Sequence, residues 1–345
     1  MHNFRKTALS VAALLASLII LFSVYTAPYF NGTSYYYQDS EVRDSLAGEL
    51  DLLISGSSHG FRAFVPEVID EELDVNSYNL CCAMQTMKGR YTLLKKELSR
   101  NDIKTVILEI SYNALTRNRK AEGPEGDLYE LGRFSNTFDR VSYFFSAFSP
   151  AEYGKVYFDT MDRSKYAWEC FFNDKEPKKP LQETTKGYIP LDPVDYTISP
   201  ADVESLYHTT EIPLEKYDEN VEYFKKCLDL CKDYGVRVIM VVTPLADKGI
   251  ITRDGFDVVH SWYSKYAEEY GYEYYDFNLH KNKVHDFSQE TDFFDSAHLS
   301  VHGAEDFSKI FCDTIKAVDN GEDVSERFFE SYSEATDSIL ESILQ

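Results

Sequence analysis

Two short stretches far apart in the chain carry side chains that could act together in nucleophilic catalysis. The first is Gly56-Ser57-Ser58-His59-Gly60, a turn of small residues that follows a short apolar run. The second is Asp295-Ser296-Ala297-His298, near the other end of the 345-residue chain. A serine hydroxyl is a weak nucleophile at neutral pH, so it needs a base to take its proton and an acid to orient that base. Ser58, His298 and Asp295 satisfy this requirement in any chain order, because such triads are defined by geometry.

Each of these residues also has an ordinary structural explanation. Ser58 could belong to a serine-rich turn, Asp295 could be an acid at a helix N-terminus, and His298 could be a packing histidine. The strand predicted before Ser58 and the distant Asp-x-x-His pattern favour the catalytic interpretation. His59 and His302 lie beside the two motifs but outside the pattern, so we predict no catalytic role for either.

The elements between the two motifs predict the fold that must position them. Apolar strands are predicted at 51–55, 75–80, 105–110, 236–242 and 272–277, and helices at 65–73, 86–100, 214–234, 257–270 and 303–318. This alternation is typical of an α/β fold with a flavodoxin-like, doubly wound parallel sheet. Ligands of such sheets bind at the carboxyl ends of the strands, where Ser58 is expected. Glu109, at the end of the third strand, is interpreted as a hydrogen-bonded structural acid.

The N-terminus predicts the compartment. His2, Arg5 and Lys6 precede an apolar run of 18 residues, 8–25, which is long enough to span a bilayer. Positive charge on the short side predicts that this end stays in the cytoplasm. A cleaved signal peptide is the alternative, but 25–27 is a poor cleavage site, so an uncleaved transmembrane signal-anchor is favoured. We therefore expect a single-pass protein of the cell membrane with its catalytic domain outside the cytoplasm.

These patterns divide the chain into four segments. They are 1–30 with the anchor, 31–48 as a stalk, 49–318 as the catalytic domain, and 319–345 as an acidic tail forming a surface helix. Within the catalytic domain the alternation lapses at about 111–213, which we interpret as a large insertion, mainly helical early and looped late. Insertions that cap a sheet edge commonly determine substrate choice.

Composition excludes some classes of function. The net charge is -23, with 58 acidic against 35 basic residues, and this argues against nucleic-acid binding, because phosphate contacts need a basic face. The six cysteines form neither a CxxC pair nor a cluster with histidine, so no thiolate zinc site is expected, and no cofactor is predicted. Cys227 and Cys231 share a helix face and are expected to be small buried hydrophobes.

The two motifs resemble those of the SGNH/GDSL hydrolase superfamily. That family begins with a strand followed by Gly-Asp-Ser and ends with Asp-x-x-His, and here the blocks read Gly56-Ser57-Ser58 and Asp295-Ser296-Ala297-His298. Ser57 stands where the family has its aspartate. The Gly-Ser-Ser-His form is similar to the membrane-anchored, DltD-like and alginate-acetylation-like branches. The resemblance covers the order of elements over about 51–318, without the insertion.

In that family, two middle blocks supply a glycine and an asparagine to the oxyanion hole. The corresponding turn here, 81–85, has no glycine, so the resemblance leaves the Ala83 amide or the Gln85 side chain as donors. Asn113 follows the third strand, where the asparagine block would fall.

The resemblance implies an extracytoplasmic serine acyltransferase or esterase. It would act on acetyl or D-alanyl groups of a cell-surface polysaccharide or teichoic acid, with a polytopic membrane acyltransferase as a partner. One alternative is an esterase that removes acyl groups from carbohydrates or lipids by the same triad. Another is a membrane-tethered glycan-binding or assembly subunit whose site is not catalytic.

Overall fold

A computed structural model describes residues 2–28, 35–173 and 186–345. By packing, the chain divides into two compact units. One consists of Met1–Val42 and Leu131–Glu183, and the other of Arg43–Glu130 and Thr184–Gln345. The second unit contains the strands that the sequence predicts and both predicted catalytic motifs, so it is the sheet unit.

The described residues form seven strands and sixteen helices. The strands are β1 (Leu52–Ser55), β2 (Ser77–Asn79), β3 (Thr105–Glu109), β4 (Thr210–Glu211), β5 (Arg237–Val242), β6 (Arg253–Asp254) and β7 (Glu273–Asp276). The helices are α1 (His2–Pro28), α2 (Tyr35–Ser45), α3 (Ser58–Ala63), α4 (Pro66–Leu73), α5 (Met87–Arg100), α6 (Arg119–Glu122), α7 (Glu125–Leu131), α8 (Thr137–Ala147), α9 (Tyr153–Phe172), α10 (Val203–Leu206), α11 (Asp218–Tyr234), α12 (Asp247–Ile251), α13 (Phe256–Tyr270), α14 (Lys281–Asp286), α15 (Val301–Asp319) and α16 (Tyr332–Leu344).

Five of the strands form one parallel sheet in the order β2-β1-β3-β5-β7. Renumbered along the chain, this is the 2-1-3-4-5 order of flavodoxin-like sheets, so the predicted α/β class is confirmed. The direction of winding reverses between β1 and β3, and the carboxyl ends of those two strands define the switch point. Ser58 follows β1 and Glu109 ends β3, so both lie at that point.

The sheet is buried on both faces. Ile54, Ile107 and Ile239 belong to one buried cluster with Phe307 and Phe311 of α15. Because side chains alternate along a strand, the residues between these isoleucines face the opposite layer, where α5 packs against α11. Strands buried on both faces are continuously apolar, which is why β1, β3 and β5 were predictable from their apolar runs.

The first unit contains α1, α8 and α9. Helix α1 packs against α9, and the Trp168 indole donates a hydrogen bond of 2.8 Å to the Tyr25 carbonyl. Helix α1 covers the apolar run that the sequence analysis predicts to be a transmembrane anchor. Within the described part of the chain, however, no helix combines the length and the apolar character needed to cross a membrane, so the predicted transmembrane helix is not found.

A helix covers part of the segment predicted to be a stalk. Helix α2 begins at Tyr35, whereas 29–34 lie outside the described residues. The Arg43 guanidinium near its end is fully buried, 3.0 Å from the Glu97 carboxylate of α5. A charge is tolerated in the interior only when it is paired, so this end of α2 is part of the packed fold.

The tail forms a helix, as predicted, but one face of it is buried. Ala335 and Ile339 of α16 are buried, and the Tyr332 hydroxyl donates to the Asp276 carboxylate at 2.9 Å. These positions are three and four residues apart and therefore share a helix face. The surrounding acidic residues conceal this short apolar pattern in the sequence.

Candidate active site

The nucleophile turn joins β1 to α3. Ser57 caps α3 and accepts a hydrogen bond of 3.3 Å from the His59 amide, and Ser58 is the first residue of the helix. A side chain at Gly56 would not fit, because its Cβ would lie 2.3 Å from the Glu109 carboxylate. The apolar strand, the small turn residues and the cap together leave the Ser58 hydroxyl half-buried at the carboxyl edge of the sheet.

The structure brings the three predicted catalytic side chains together. His298 Nε2 lies 2.9 Å from Ser58 Oγ, across 240 residues of sequence. On the other side of the ring, Nδ1 lies 2.8 Å and 3.0 Å from the two carboxylate oxygens of Asp295. A proton on Nδ1, held by that carboxylate, leaves the Nε2 lone pair free to accept the serine proton. This is the geometry that general-base activation of a serine requires.

The Asp295 carboxylate is held in its charged form. Burial alone would raise its pKa, but the hydrogen bond and charge of His298 and the amides of Ala297 and His298 together keep the pKa below its ordinary value. The two amides donate to Oδ1 at 2.7 Å and 2.9 Å. Asp295 therefore remains an acceptor for the imidazole across the physiological pH range.

The loop that carries Asp295 and His298 is fixed by backbone contacts. The Phe294 amide donates to the His298 carbonyl at 2.9 Å, which closes the loop on itself. Helix α12 packs against it so closely that a Cβ on Gly249 would lie 2.2 Å from the Ser296 carbonyl oxygen. The position of His298 thus depends on a glycine in a neighbouring helix.

Replacing Gly249 with alanine is expected to lower kcat/KM for a small aryl ester by roughly tenfold or more, because displacing the base by a fraction of an ångström disturbs the reacting geometry. Gly154→Ala is the matched control, since a Cβ at that helical glycine has no heavy atom within 4 Å. Equal activity in the two variants would show that the contact at Gly249 does not hold the loop.

Glu109 forms hydrogen bonds with the nucleophile turn. Its Oε2 accepts hydrogen bonds from the Ser57 amide at 2.5 Å and the Ser57 hydroxyl at 3.0 Å. The carboxylate is fully buried, and its only cationic neighbour within 4.0 Å in the described chain is Arg90, at 3.9 Å. Burial raises the pKa of Glu109, and the charge of Arg90 and the Ser57 hydrogen bonds offset part of that rise. The prediction of a hydrogen-bonded acid at this position is confirmed, and its partner is the residue next to the nucleophile.

Arg90 was not singled out by the sequence analysis. It is 2 % exposed, donates to the Glu109 backbone carbonyl at 2.8 Å, and lies on the inner face of α5. The available signal was its spacing, because Leu93 and Leu94 follow at three and four residues and mark the buried face. A charged residue at a core position of an amphipathic helix indicates a buried partner.

The three predicted oxyanion donors differ in the hydrogen bonds that they already make. Gln85 is buried and its side-chain amide is already engaged, since Nε2 donates to Glu130 at 3.2 Å and Oε1 accepts from Arg90 at 3.3 Å. Both ends of this buried amide have partners within the core, and its role as an oxyanion donor stays a prediction. Asn113 accepts a hydrogen bond of 3.0 Å from Ser111, and within the described residues it makes none with Ser58.

The Ala83 amide remains a candidate donor. The Cys82 amide next to it donates to the Gly56 carbonyl at 3.0 Å, which ties this turn to the nucleophile turn. In the described part of the chain, neither the Ala83 amide nor the Ser58 amide has a hydrogen-bond partner. Two free backbone amides on adjoining turns are the usual construction of an oxyanion hole.

His59 lies beside the triad. Its ring centroid is 5.0 Å from that of His298 and 6.1 Å from that of Tyr112, which meets it edge-on. Burial, and after it the nearby His298, lowers the pKa of His59 to about 3. His59 is therefore neutral and acts as a wall of the site. His302 is exposed on α15.

Comparison with known proteins does not identify the family. No protein-family model matches the chain, and no curated protein matches it. One solved structure that the comparison finds is described as "a putative platelet activating factor from Streptococcus pneumonia". It is 12% identical, covers 89% of this chain and 99% of its own, and superposes with a TM-score of 0.36. The function is therefore argued from the geometry of the site.

Proposed function

We propose that the protein is a serine esterase or acyltransferase of the SGNH type. The observation that carries the proposal is the continuous hydrogen-bonded chain from Ser58 through His298 to Asp295, with distances of 2.9 Å and 2.8 Å. An ordinary serine turn and a packing histidine give no reason for two distant loops to align a hydroxyl, an imidazole and a carboxylate in this order. The position at the switch point of the sheet is a second support.

The geometry supports a two-step acyl transfer. Ser58 Oγ attacks the ester carbonyl while its proton passes to His298 Nε2, and Asp295 stabilises the imidazolium that forms. The Ser58 and Ala83 amides stabilise the negative charge on the carbonyl oxygen. His298 then donates its proton to the departing alkoxide, which leaves an acyl group on Ser58. Water or an acceptor hydroxyl, deprotonated by His298, removes the acyl group in the second step.

The substrate class follows from the resemblance of the motifs. It favours an acetyl or D-alanyl ester on a cell-surface polysaccharide or teichoic acid, with a polytopic membrane acyltransferase as donor. The same triad would serve an esterase that only removes such groups, since the two reactions differ in the acceptor of the second step. The location outside the cytoplasm and the attachment to the membrane remain predictions from residues 1–30.

Labelling with a fluorophosphonate tests the proposal directly, because such reagents react with activated serines. We expect one label on the full-length protein, mapped to Ser58 by peptide mass spectrometry and absent in Ser58→Ala. Ser99→Ala is the matched control and should keep its label, since that hydroxyl is exposed on α5 and donates to the Lys96 carbonyl. Absence of label from wild-type protein, together with absence of ester hydrolysis, would refute catalysis and favour the non-catalytic glycan-binding alternative.

Transfer and hydrolysis can be separated in cells. Acylation of the surface polymer is compared in cells that carry the wild-type protein or Ser58→Ala. Lower acylation with the variant indicates transfer onto the polymer, and higher acylation indicates removal.

A further inference from the structure

An arginine lies beside the triad on the far side of the catalytic loop. Arg253 begins β6, directly after α12, and its Nη1 donates to the Gly249 carbonyl at 2.7 Å. Gly249 is the residue that packs against the Ser296 carbonyl, between Asp295 and His298. Gly249 therefore contacts both Arg253 and the loop that carries His298.

Arg253 also contacts an aromatic residue that packs against the site. Its guanidinium carbon lies 5.5 Å from the centre of the Tyr112 ring, within the range of a cation–π contact. Tyr112 meets His59 edge-on, and His59 lies 5.0 Å from His298. The charge of Arg253 also contributes to the lowered pKa of His59, after burial and His298. Two independent sets of contacts thus place this cation at the wall of the active site.

Arg253 is not neutralised by the protein. In the described part of the chain, no carboxylate lies within 4.0 Å of its guanidinium, and Nη1 makes its one hydrogen bond, to Gly249. The adjacent Asp254 pairs instead with His208, and Asp257 accepts the Tyr332 amide at 3.1 Å. Arg253 is half-buried and lines a pocket with Asp257 and Tyr332, where a ligand could reach its remaining donors.

Arg117 provides an internal comparison. It too is close enough to lower the pKa of His59, but its Nε donates to the Glu122 carboxylate at 2.9 Å. Arg117 is a cation paired within the protein, whereas Arg253 is held in place by a carbonyl and a ring and has no carboxylate within 4.0 Å in the described part of the chain, although Asp254, Asp257 and Asp337 line the same pocket. A chain with a net charge of -23 repels anions at long range. Attraction of an anion to this site must therefore come from a nearby cation such as Arg253.

We propose that Arg253 binds an anionic group of the substrate, a phosphate or a carboxylate carried close to the ester. The planar guanidinium presents paired donors that match either anion, and its fixed attachment limits the entropy lost on binding. This inference rests on the proposed function, because it assumes that the triad acts on the molecule that Arg253 holds. It deepens that function by naming the charge of the substrate and the residue that selects it.

Binding of small anions tests the inference without requiring turnover. Full-length protein is titrated with sn-glycerol 3-phosphate, with succinate and with neutral glycerol, and binding is followed by ligand-observed NMR. We expect one or both anions to bind and glycerol not to bind. Arg253→Gln should lower the affinity for the anion by roughly tenfold or more. Arg253→Lys should retain part of the affinity. Lys104→Gln, which removes an exposed cation at the amino end of β3, should not change it.

The kinetic form of the test compares a succinyl ester with a matched neutral butyryl ester. We expect Arg253→Gln to lower kcat/KM for the anionic ester about tenfold more than for the neutral one. Equal losses for both esters, unchanged anion binding in Arg253→Gln, or no anion binding by wild-type protein would each overturn the inference. If fluorophosphonate labels Ser58 but no anion binds, only this inference fails. If anions bind through Arg253 but Ser58 is never labelled, the proposed function fails and an anion site remains.

Discussion

His298→Ala is expected to lower kcat/KM for a small aryl ester by about 10⁶-fold, because the Ser58 proton then has no base within reach. The remaining activity would come from the oxyanion donors and substrate binding. The loss should appear in kcat rather than in KM, since His298 acts on the reacting hydroxyl. Steady-state kinetics on purified full-length protein measures both.

His302→Ala is the matched control for this prediction. It removes an imidazole four residues away that is exposed on α15 and touches no member of the triad. The control should retain wild-type activity, and both variants should unfold near the wild-type midpoint. An active His298→Ala variant, or equal losses in the two variants, would contradict the assignment of the base.

Glu109→Ala is expected to reduce the free energy of unfolding by about 3 kcal/mol, because it leaves a buried guanidinium without its carboxylate. It also removes the acceptor of the Ser57 amide and hydroxyl, so the nucleophile turn loses its support. Glu222→Ala is the control, since that carboxylate is 62% exposed and pairs with Lys226 on the surface. Its expected effect is below about 0.5 kcal/mol. Urea denaturation of both variants measures the difference, and equal effects would contradict a supporting role for Glu109.

The pH dependence of the conservative variant gives a second measure of Glu109. Its pKa in the folded protein is raised above the value of 4.5 that it has when exposed. As pH rises through 4.5, the unfolded chain therefore releases this proton first, and the residue reduces stability from that pH up to its folded pKa. Glu109→Gln removes the titration. The stability of the variant relative to wild type should accordingly increase between pH 4 and pH 7, and a decrease would refute the raised pKa.

Much of the fold was predictable because its strands are apolar on both faces. The runs that became β1, β3 and β5 cannot be solvated on either side, so they indicate a parallel sheet covered by helices. The elements that differ from the prediction are those whose sequence pattern is weak or short. In helix α2 the buried positions include Ser40 and Arg43, which are polar and give no apolar pattern. The two-residue strands β4 and β6 pair parallel to each other without any periodic pattern.

The residues of the site likewise differ in whether a local sequence pattern marks them. Ser58, Asp295 and His298 could be selected from the sequence, because each belongs to a short motif of defined residue types. The partners of Gln85 could not be predicted, because its side chain belongs to a buried network with Arg90 and Glu130. Arg90 and Arg253 were missed because their contacts come from other parts of the chain, and such tertiary contacts leave no local pattern.

The distance in sequence between Ser58 and His298 also determines when the site comes into existence. The nucleophile turn is synthesised early, but its base follows 240 residues later, after every strand of the main sheet has been made. A growing chain therefore exposes an unactivated serine until its last third has been synthesised and packed. Chains terminated before His298 carry the hydroxyl without the imidazole, so the proposed catalysis would require synthesis to pass this residue.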